Sequence, residues 1–476
     1  MLKNLSFVML GVTAVVFCGC QADRLTSAPG GTYISPEKYA AEYWQEIAKP
    51  VPVFQKTLTD KTAEESAEIF ERYVALFKKY APYLLEEYNS YDKVLKWKPG
   101  TYLKRTFWPL DGEAMAKQKG HECTSWAALP DLAAENQLLL HKTRDTSIRK
   151  SVIVHRPATD RYGYIGLHDI GWADVTMGIN SVGVAITMNS GDLSDGVSDF
   201  GMDTTLMGRI ILEQCKTADE AAAMLKDMFE NNAYKHGVYG SIFMIADKDC
   251  VYVIENDGKR YHSQKYTKGF AVRANAWNFP EMLPFSQKSY RYVIDSRRRE
   301  FAVTEAVFER GKKHDRPVTA EQMFKAARVT KVEGDNDPKA NGPCAARTAS
   351  AATFSIDREF PADLTTVYAA PGNPEYTFFI PVPLTVNELP APLLNQKFSA
   401  EVYKNFAAKQ KPVSDEKRAE IEKRMYEIHR AAREKARQIL RESFSEANRL
   451  KARKIMNEAF VENWRIISKY YISSQR

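Results

Sequence analysis

The residues best suited to chemistry in this chain are Cys123-Thr124-Ser125-Trp126 and, about twenty positions later, the polar cluster Lys142-Thr143-Arg144-Asp145. A cysteine attacks an amide carbonyl as its thiolate, and a thiol reaches that form near neutral pH only beside a base or a positive neighbour. Thr124 and Ser125 are small hydroxyl residues whose side chains can bond nearby backbone groups, so the thiol can stand at the start of a strand without crowding a substrate. A lone cysteine is otherwise a small core hydrophobe. Cys123 therefore takes its meaning from what the rest of the chain places around it.

The opening of the chain sets the expected compartment. Met1–Cys20 reads as a targeting segment, with Lys3 as the positive start and the apolar run Leu5–Phe17 behind it, too short to span a bilayer. Its end, Val16-Phe17-Cys18-Gly19-Cys20, resembles a bacterial lipoprotein box with Cys20 as the lipid acceptor; simple secretion after cleavage is the alternative. Residues 21–35, rich in Ser, Gly and Thr, follow as a tether. The expected location is the cell envelope, anchored through the lipid to the outer membrane or cell surface. Beyond Cys18 and Cys20 the chain has Cys123, Cys215, Cys250 and Cys344, too sparse for a disulfide scaffold. No Cys-x-x-Cys or His-Glu-x-x-His pattern occurs and His121-Glu122-Cys123 is too short to be a metal motif, so neither a metal nor a cofactor is expected.

With 476 residues, 44% of them hydrophobic, the chain can build one large core with helical additions, or two domains. Residues 36–122 read as a helical segment: Pro36 opens one helix, and Thr62 to Tyr88 carries Ile69, Tyr73, Leu76, Phe77, Tyr80 and Leu84 at three-to-four spacing. From Cys123 to about Pro383 short apolar runs such as Ser151–Val154, Tyr164–Leu167 and Gly183–Met188 predict strands, and Tyr239–Ile245 with Val251–Glu255 predicts a hairpin. Thr217-Ala218-Asp219-Glu220 resembles a capping box before a helix. Strands on either side of a helical block argue for sheets covered by helices, an α+β class. The net charge of +7 is modest, and the excess sits in the tail from Ser414, which has sixteen Lys or Arg against ten Asp or Glu. That tail has no Gly or Pro and predicts a long helical hairpin with a solvated charged face, rather than a nucleic-acid-binding element. Asp335-Asn336-Asp337 reads as a surface turn, since no Glu closes a calcium loop there.

In this order the pieces resemble the cysteine-type N-terminal nucleophile hydrolases, in particular the isopenicillin-N acyltransferase group, with choloylglycine hydrolase and penicillin V acylase more distant. Cys123-Thr124-Ser125 looks like the start of that family's catalytic chain, and Lys142-Thr143-Arg144-Asp145 like the segment ending in the aspartate that holds the nucleophile's own α-amine. Gly178-Ile179-Asn180-Ser181-Val182-Gly183 followed by Thr187-Met188-Asn189 is similar to the first asparagine motif, Arg273-Ala274-Asn275-Ala276 to the second, and Asp295–Arg299 to a late Ser-x-x-Arg segment. The resemblance implies an αββα sandwich and a precursor cut between Glu122 and Cys123. It also implies catalytic roles for Cys123, Asp145, Asn189 and Asn275, and substrate contacts from Arg144 and Arg299. Glu122 departs from the glycine common before the nucleophile, and Lys142 stands where choloylglycine-type relatives have arginine.

The resulting expectation is an enzyme, with a helical pro-segment at 36–122, a catalytic domain at 123–400 and a basic helical extension at 401–476. It would cleave a small-molecule amide or a peptide through a Cys123 acyl-thioester, by hydrolysis or by acyl transfer. A transpeptidase-like enzyme acting on cell-wall peptides is a further form of this reading. The rival from another class is a non-catalytic surface binding or scaffold lipoprotein on a degenerate hydrolase fold.

Overall fold

Alternation along the strands decides the architecture. In the 151–156 strand, Ile153 joins one apolar cluster while Val152 and Val154 join another; Met244 is likewise separated from Phe243 and Ile245. Such strands are buried on both faces, which requires a second layer on each side. The computed structural model describes residues 67–103 and 123–471, apart from 147–150, 170–173, 199–200, 235–236, 288–289, 309–315 and positions 333, 336 and 338–340. The expected signal, lipid acceptor and tether, the helix at Pro36 and the Glu122 side of the expected cut lie outside the described residues.

Strands β1 (Thr124–Ala128), β2 (Gln137–Asp145), β10 (Phe270–Arg273), β11 (Thr348–Asp357), β12 (Thr366–Ala370) and β13 (Ile380–Pro383) form an antiparallel sheet in the order β10-β1-β2-β11-β12-β13. The second sheet runs in sequential order through β3 (Ser151–Arg156), β4 (Tyr164–Asp169), β5 (Met177–Asn180), β6 (Ala185–Ser198), β7 (Gly237–Ala246), β8 (Val251–Asn256) and β9 (Tyr261–Tyr266). Their facing surfaces share Leu138, Leu140, Ile165, Met177, Ile179, Met244 and Ile356. Helices α1 (Ala67–Tyr80), α2 (Pro82–Leu95), α3 (Thr204–Gln214) and α4 (Ala218–Glu230) share the apolar cluster on the outer face of the seven-stranded sheet. On the other sheet lie α5 (Tyr290–Phe308), α6 (Ala320–Ala327) and, beyond α7 (Lys397–Ala407), the hairpin of α8 (Asp415–Glu442) and α9 (Glu446–Ser468). The layers are those of an αββα sandwich.

Several local expectations meet their physical cause here. The single helix expected over 62–88 is two, because Pro82 lacks an amide hydrogen and takes the first position of α2 after Ala81. At α4, Thr217 accepts from the Glu220 amide, but the Glu220 carboxylate returns to the Lys216 amide rather than to that of the cap. The predicted hairpin of β7 and β8 closes on Asp247, whose Oδ1 accepts from the amides of Asp249 and Cys250. Asp335 and Asp337 both pair with Arg298. The expected domain boundary between 400 and 401 falls inside α7. The charged face of the tail is not wholly solvated: Arg433 and Arg437 of α8 converge on Asp357 at the end of β11, and Arg328 pairs with Glu422. All four described cysteines are free thiols, and no described helix is long and apolar enough to cross a membrane.

The N-terminal helices are fastened by a buried ion cluster. Glu87 of α2 accepts from Arg209 of α3 at 2.6 Å and from Arg156 of β3 at 2.5 Å, while Glu213 accepts from Arg209 at 3.1 Å and from Tyr83 at 2.6 Å. Burial alone would raise the Glu87 pKa, but the two guanidinium groups reverse that and hold it well below the usual carboxylate range. A depressed pKa stabilises the fold above the unfolded value of about 4.3 and ceases to do so as pH falls through the folded value. Glu87→Ala, which leaves two buried cations short of a partner, should cost about 3–5 kcal/mol. Urea unfolding at neutral pH measures that loss, and the difference from wild type should shrink as the solution is acidified below the glutamate range.

Candidate active site

Cys123 precedes β1 at the end of the slot between the sheets and is 5% exposed. Ser125 lies directly opposite Lys142 in the β1–β2 ladder, so period-two alternation turns Cys123, Ser125, Lys142 and Arg144 to the same face of the six-stranded sheet. Across the slot, β6 brings Asn189. Lys142 Nζ donates to Asn189 Oδ1 at 2.7 Å and to the Met188 carbonyl, on the face that Cys123 shares. Ser125 Oγ donates to the same Asn189 Oδ1 at 2.9 Å. Burial lowers the Lys142 pKa; the Cys123 charge opposes that shift, Arg144 adds to it and Asp145 opposes it.

The other face is held by α5. Arg299 Nη1 donates to the Cys123 carbonyl at 2.8 Å, to Thr124 Oγ1 at 3.1 Å and to Asn275 Oδ1 at 3.0 Å, and Nη2 repeats the Asn275 bond at 3.0 Å. Arg299 Nε reaches Asp295 Oδ2 at 3.2 Å, one turn back on the same helix. Asn275 Nδ2 donates to the Ser190 carbonyl at 2.7 Å, which ties the loop after β10 to β6. That loop is further fixed by Glu300, which accepts from the Ala274 amide at 2.9 Å, and by Glu255, which accepts from Arg273 Nε and the Asn278 amide, both at 2.9 Å.

The six residues singled out from the sequence within the described chain thus fall in one region, with differing surroundings. Asn189, given a catalytic role by the resemblance, has its amide hydrogens on the carbonyls of Arg273 at 3.1 Å and Ala274 at 3.0 Å and so has none to offer a substrate oxyanion. Arg299, expected to contact substrate, is buried and turned toward the Cys123 backbone. Arg144 is bound two-pronged to Asp169 at 2.9 and 2.7 Å; burial weighs against its charge, and Asp169 more than offsets this, raising its pKa. Asp145 Oδ1 accepts from Thr348 Oγ1 at 2.6 Å. Asn180 works as a turn, its Oδ1 accepting from the Val184 amide at 2.8 Å, with Gly183 at φ +95.

Lys142 was given no individual role by the sequence reading. The signal was there: it takes the inward place after Leu138 and Leu140, where an apolar residue is the rule. Asp169, Glu255 and Glu300 are partners that only the fold reveals. His141, adjacent in β2, belongs to the opposite face, stacked on Trp126 with ring centres 4.0 Å apart and bonded to Thr353; burial pushes it well below its ordinary pKa, so it is neutral. No three described His, Cys, Asp or Glu side chains converge so as to hold a metal ion. Two surface cavities of about 690 and 650 Å³ lie along α8 and α9, and no residue of the Cys123 cluster lines them.

Residues 133–325 match the family model described as acyl-coenzyme A:6-aminopenicillanic acid acyl-transferase, a span that begins after Cys123 and takes in Lys142, Asp145, Asn189, Asn275 and Arg299. No curated protein matches the chain in sequence. Solved structures similar to it include penicillin V acylase from Agrobacterium tumefaciens, with 16% identity and a TM-score of 0.33 over 52% of this chain and 83% of that one. A mutant conjugated bile acid hydrolase from Clostridium perfringens matches at 11% identity and a TM-score of 0.35 over 52% of this chain and 89% of that one. The Caenorhabditis elegans ortholog of N-acylethanolamine-hydrolyzing acid amidase matches at 14% identity and 0.33 over 51% and 98%.

Thiol chemistry separates Cys123 from its fellows. Burial pushes the Cys215, Cys250 and Cys344 thiols up to about 12, with nearby carboxylates adding to it, whereas Cys123 has the Lys142 and Arg144 cations beside it. Iodoacetamide at mildly alkaline pH should therefore modify Cys123 at least about tenfold faster than the other three. Peptide mapping by mass spectrometry reads the order directly; equal labelling of the four would remove Cys123 from consideration as a nucleophile.

Proposed function

We propose that the chain, whose residues 133–325 match the acyl-coenzyme A:6-aminopenicillanic acid acyl-transferase family model, is an N-terminal nucleophile amide hydrolase or acyltransferase that is made as a precursor, is cut between Glu122 and Cys123, and then cleaves an amide through a Cys123 acyl-thioester. One observation supports this above the rest. Cations and carboxamides from β2, β6, α5 and the loop after β10, elements far apart in sequence, are gathered around a single cysteine, with Arg299 on its backbone carbonyl. Structural cysteines do not need such surroundings, and nucleophilic ones do.

After the cut, the α-amine of Cys123 is the base for its own thiol, and Asp145 holds and balances that amine once it is protonated. The thiolate attacks the substrate carbonyl and the negative charge moves to oxygen. Asn275 Nδ2, which bonds the Ser190 carbonyl through one hydrogen, has a second to offer that oxygen, a contribution typically worth about 2.7–4 kcal/mol. Asn189 acts by holding Lys142 and Ser125 in place. Arg299 is a positioning residue, fixing the Cys123 carbonyl and the Asn275 carboxamide through one planar fork. Arg144, partly exposed beside Asp169, is the group available to an acidic part of the substrate. Collapse expels the amine, and water takes the acyl group from sulfur. Hydrolysis is preferred to acyl transfer because the proposed site of action is the cell envelope, reached as a Cys20 lipoprotein, where water is abundant and activated acyl donors are not.

Intact mass and N-terminal sequencing of the purified protein should give a fragment starting at Cys123. Cys123→Ala should remain whole and lose at least about a thousandfold in turnover of N-acyl amino acids, penicillin V, conjugated bile salts or short peptides, whichever the wild type accepts. An uncut wild-type chain whose Cys123→Ala variant kept full amidase activity would end this reading.

A further inference from the structure

An N-terminal amine can serve as base only after the cut that creates it. In the uncut chain the Cys123 nitrogen belongs to the peptide bond with Glu122 and has no basic lone pair, so the first thiol proton must go elsewhere. We propose that Lys142 takes the Cys123 thiol proton in the uncut chain and returns it to the departing nitrogen, which makes Lys142 the acid–base group of the maturation step. This rests on the precursor reading above and adds a residue to it.

The geometry is that of an exchangeable proton. Two hydrogens of Lys142 Nζ are fixed, on the Met188 carbonyl and on Asn189 Oδ1, and the ladder register puts Lys142 on the same inner face as Cys123, which leaves its remaining tetrahedral direction for exchange with that thiol. As an ammonium, Lys142 donates to a thiolate along that direction; as an amine, it accepts from a thiol along the same one. The Met188 and Asn189 partners serve both states. Burial favours the neutral amine and brings Lys142 below its ordinary range. An arginine at this position would supply charge but could not accept a proton.

The step balances without an oxidant or reductant. The Sγ proton moves to Nζ, and the sulfur attacks the Glu122 carbonyl carbon to form a carbon–sulfur bond. The bond between that carbon and the Cys123 nitrogen breaks as the nitrogen takes the proton back from Nζ. Water then hydrolyses the thioester, leaving a Glu122 carboxylate, a free thiol and the α-amine that serves later turnovers.

The test uses the full chain, freshly made by cell-free translation, as wild type, Lys142→Ala and Lys142→Arg. Precursor cutting is followed by intact mass, and iodoacetamide labelling of Cys123 in the uncut fraction is followed against pH. Lys142→Ala should cut about 100-fold more slowly or worse, its labelling should move to higher pH, and added ethylamine should restore cutting in proportion to its concentration. Such rescue also shows that the variant is folded. Lys142→Arg should keep the labelling but not the cutting. Cutting by Lys142→Arg at the wild-type rate, or no ethylamine rescue of Lys142→Ala, overturns the proton-transfer role. If wild type itself never cuts, the precursor reading fails separately, and the labelling profiles still decide the pairing: unchanged profiles in Lys142→Ala refute it.

Discussion

Two cations are buried at the head of β1, and the local structure follows from what they require. Lys142 and Arg299 are each 1% exposed. Taking an ion out of water costs several kcal/mol even after relaxation, and only close, well-directed acceptors offset it. Those acceptors are the Met188 carbonyl and Asn189 on β6, the Cys123 carbonyl and Thr124 at the start of β1, and Asn275 after β10. Satisfying both cations therefore fixes how the sheets meet at this end, with Lys142 bridging the slot and Arg299 clamping it from outside. A small shift between sheets would leave a buried charge short of partners, so the position of Cys123 is set by electrostatics as much as by packing.

The same rule attaches the outer layers. Glu87 carries α2 onto Arg156 and Arg209, and Asp357 draws in Arg433 and Arg437 of α8. Burial works against the Asp357 carboxylate, and the two arginines with the Phe360 amide reverse that and lower its pKa. Breaking any of these clusters by removing one member is costly, whereas exposed pairs such as Lys417–Glu420 are screened by water and contribute little. Most of the charge in the tail belongs to the second kind. A few arginines, indistinguishable from their neighbours in composition, do the fastening.

This explains what could be read from the chain beforehand. Strands of period two and helices of period 3.6 announce themselves locally, so the layers, the β7–β8 hairpin and the C-terminal helical hairpin were legible. The residue types around Cys123 were legible too, because a thiol, asparagines and an arginine in that order match a known pattern. Their orientation was not. Whether the Asn189 carboxamide faces a substrate or two backbone carbonyls depends on how β6 meets the loop after β10, a long-range packing fact. Arg299 sits in a run with Arg297 and Arg298, and only the angle of α5 decides that Arg299 points inward while Arg298 pairs with Asp335. Lys142 could have been found locally, since an ammonium on the core side of a strand must have partners waiting.

The C-terminal arm is bound to this site through a defect in the sheet. The ladder between β2 and β11 slips between Thr348 and Ser350, opposite Asp145 and Arg144, which leaves Ala349 as the extra residue of a bulge. A bulged carbonyl loses its ladder partner and must find another. Ala349 finds two, the Ser151 hydroxyl at 2.9 Å and the Tyr403 hydroxyl at 2.8 Å. Tyr403 is on α7, beyond the span that matches the acyl-transferase family. The bulge lies on β11, directly beside the end of β2 that carries Arg144 and Asp145, and α7 holds the bulge. The residues after the two sheets are thus part of what sets the geometry near Cys123, and a chain ending at β13 would lose one of the two hydrogen bonds that keep that turn of strand in place.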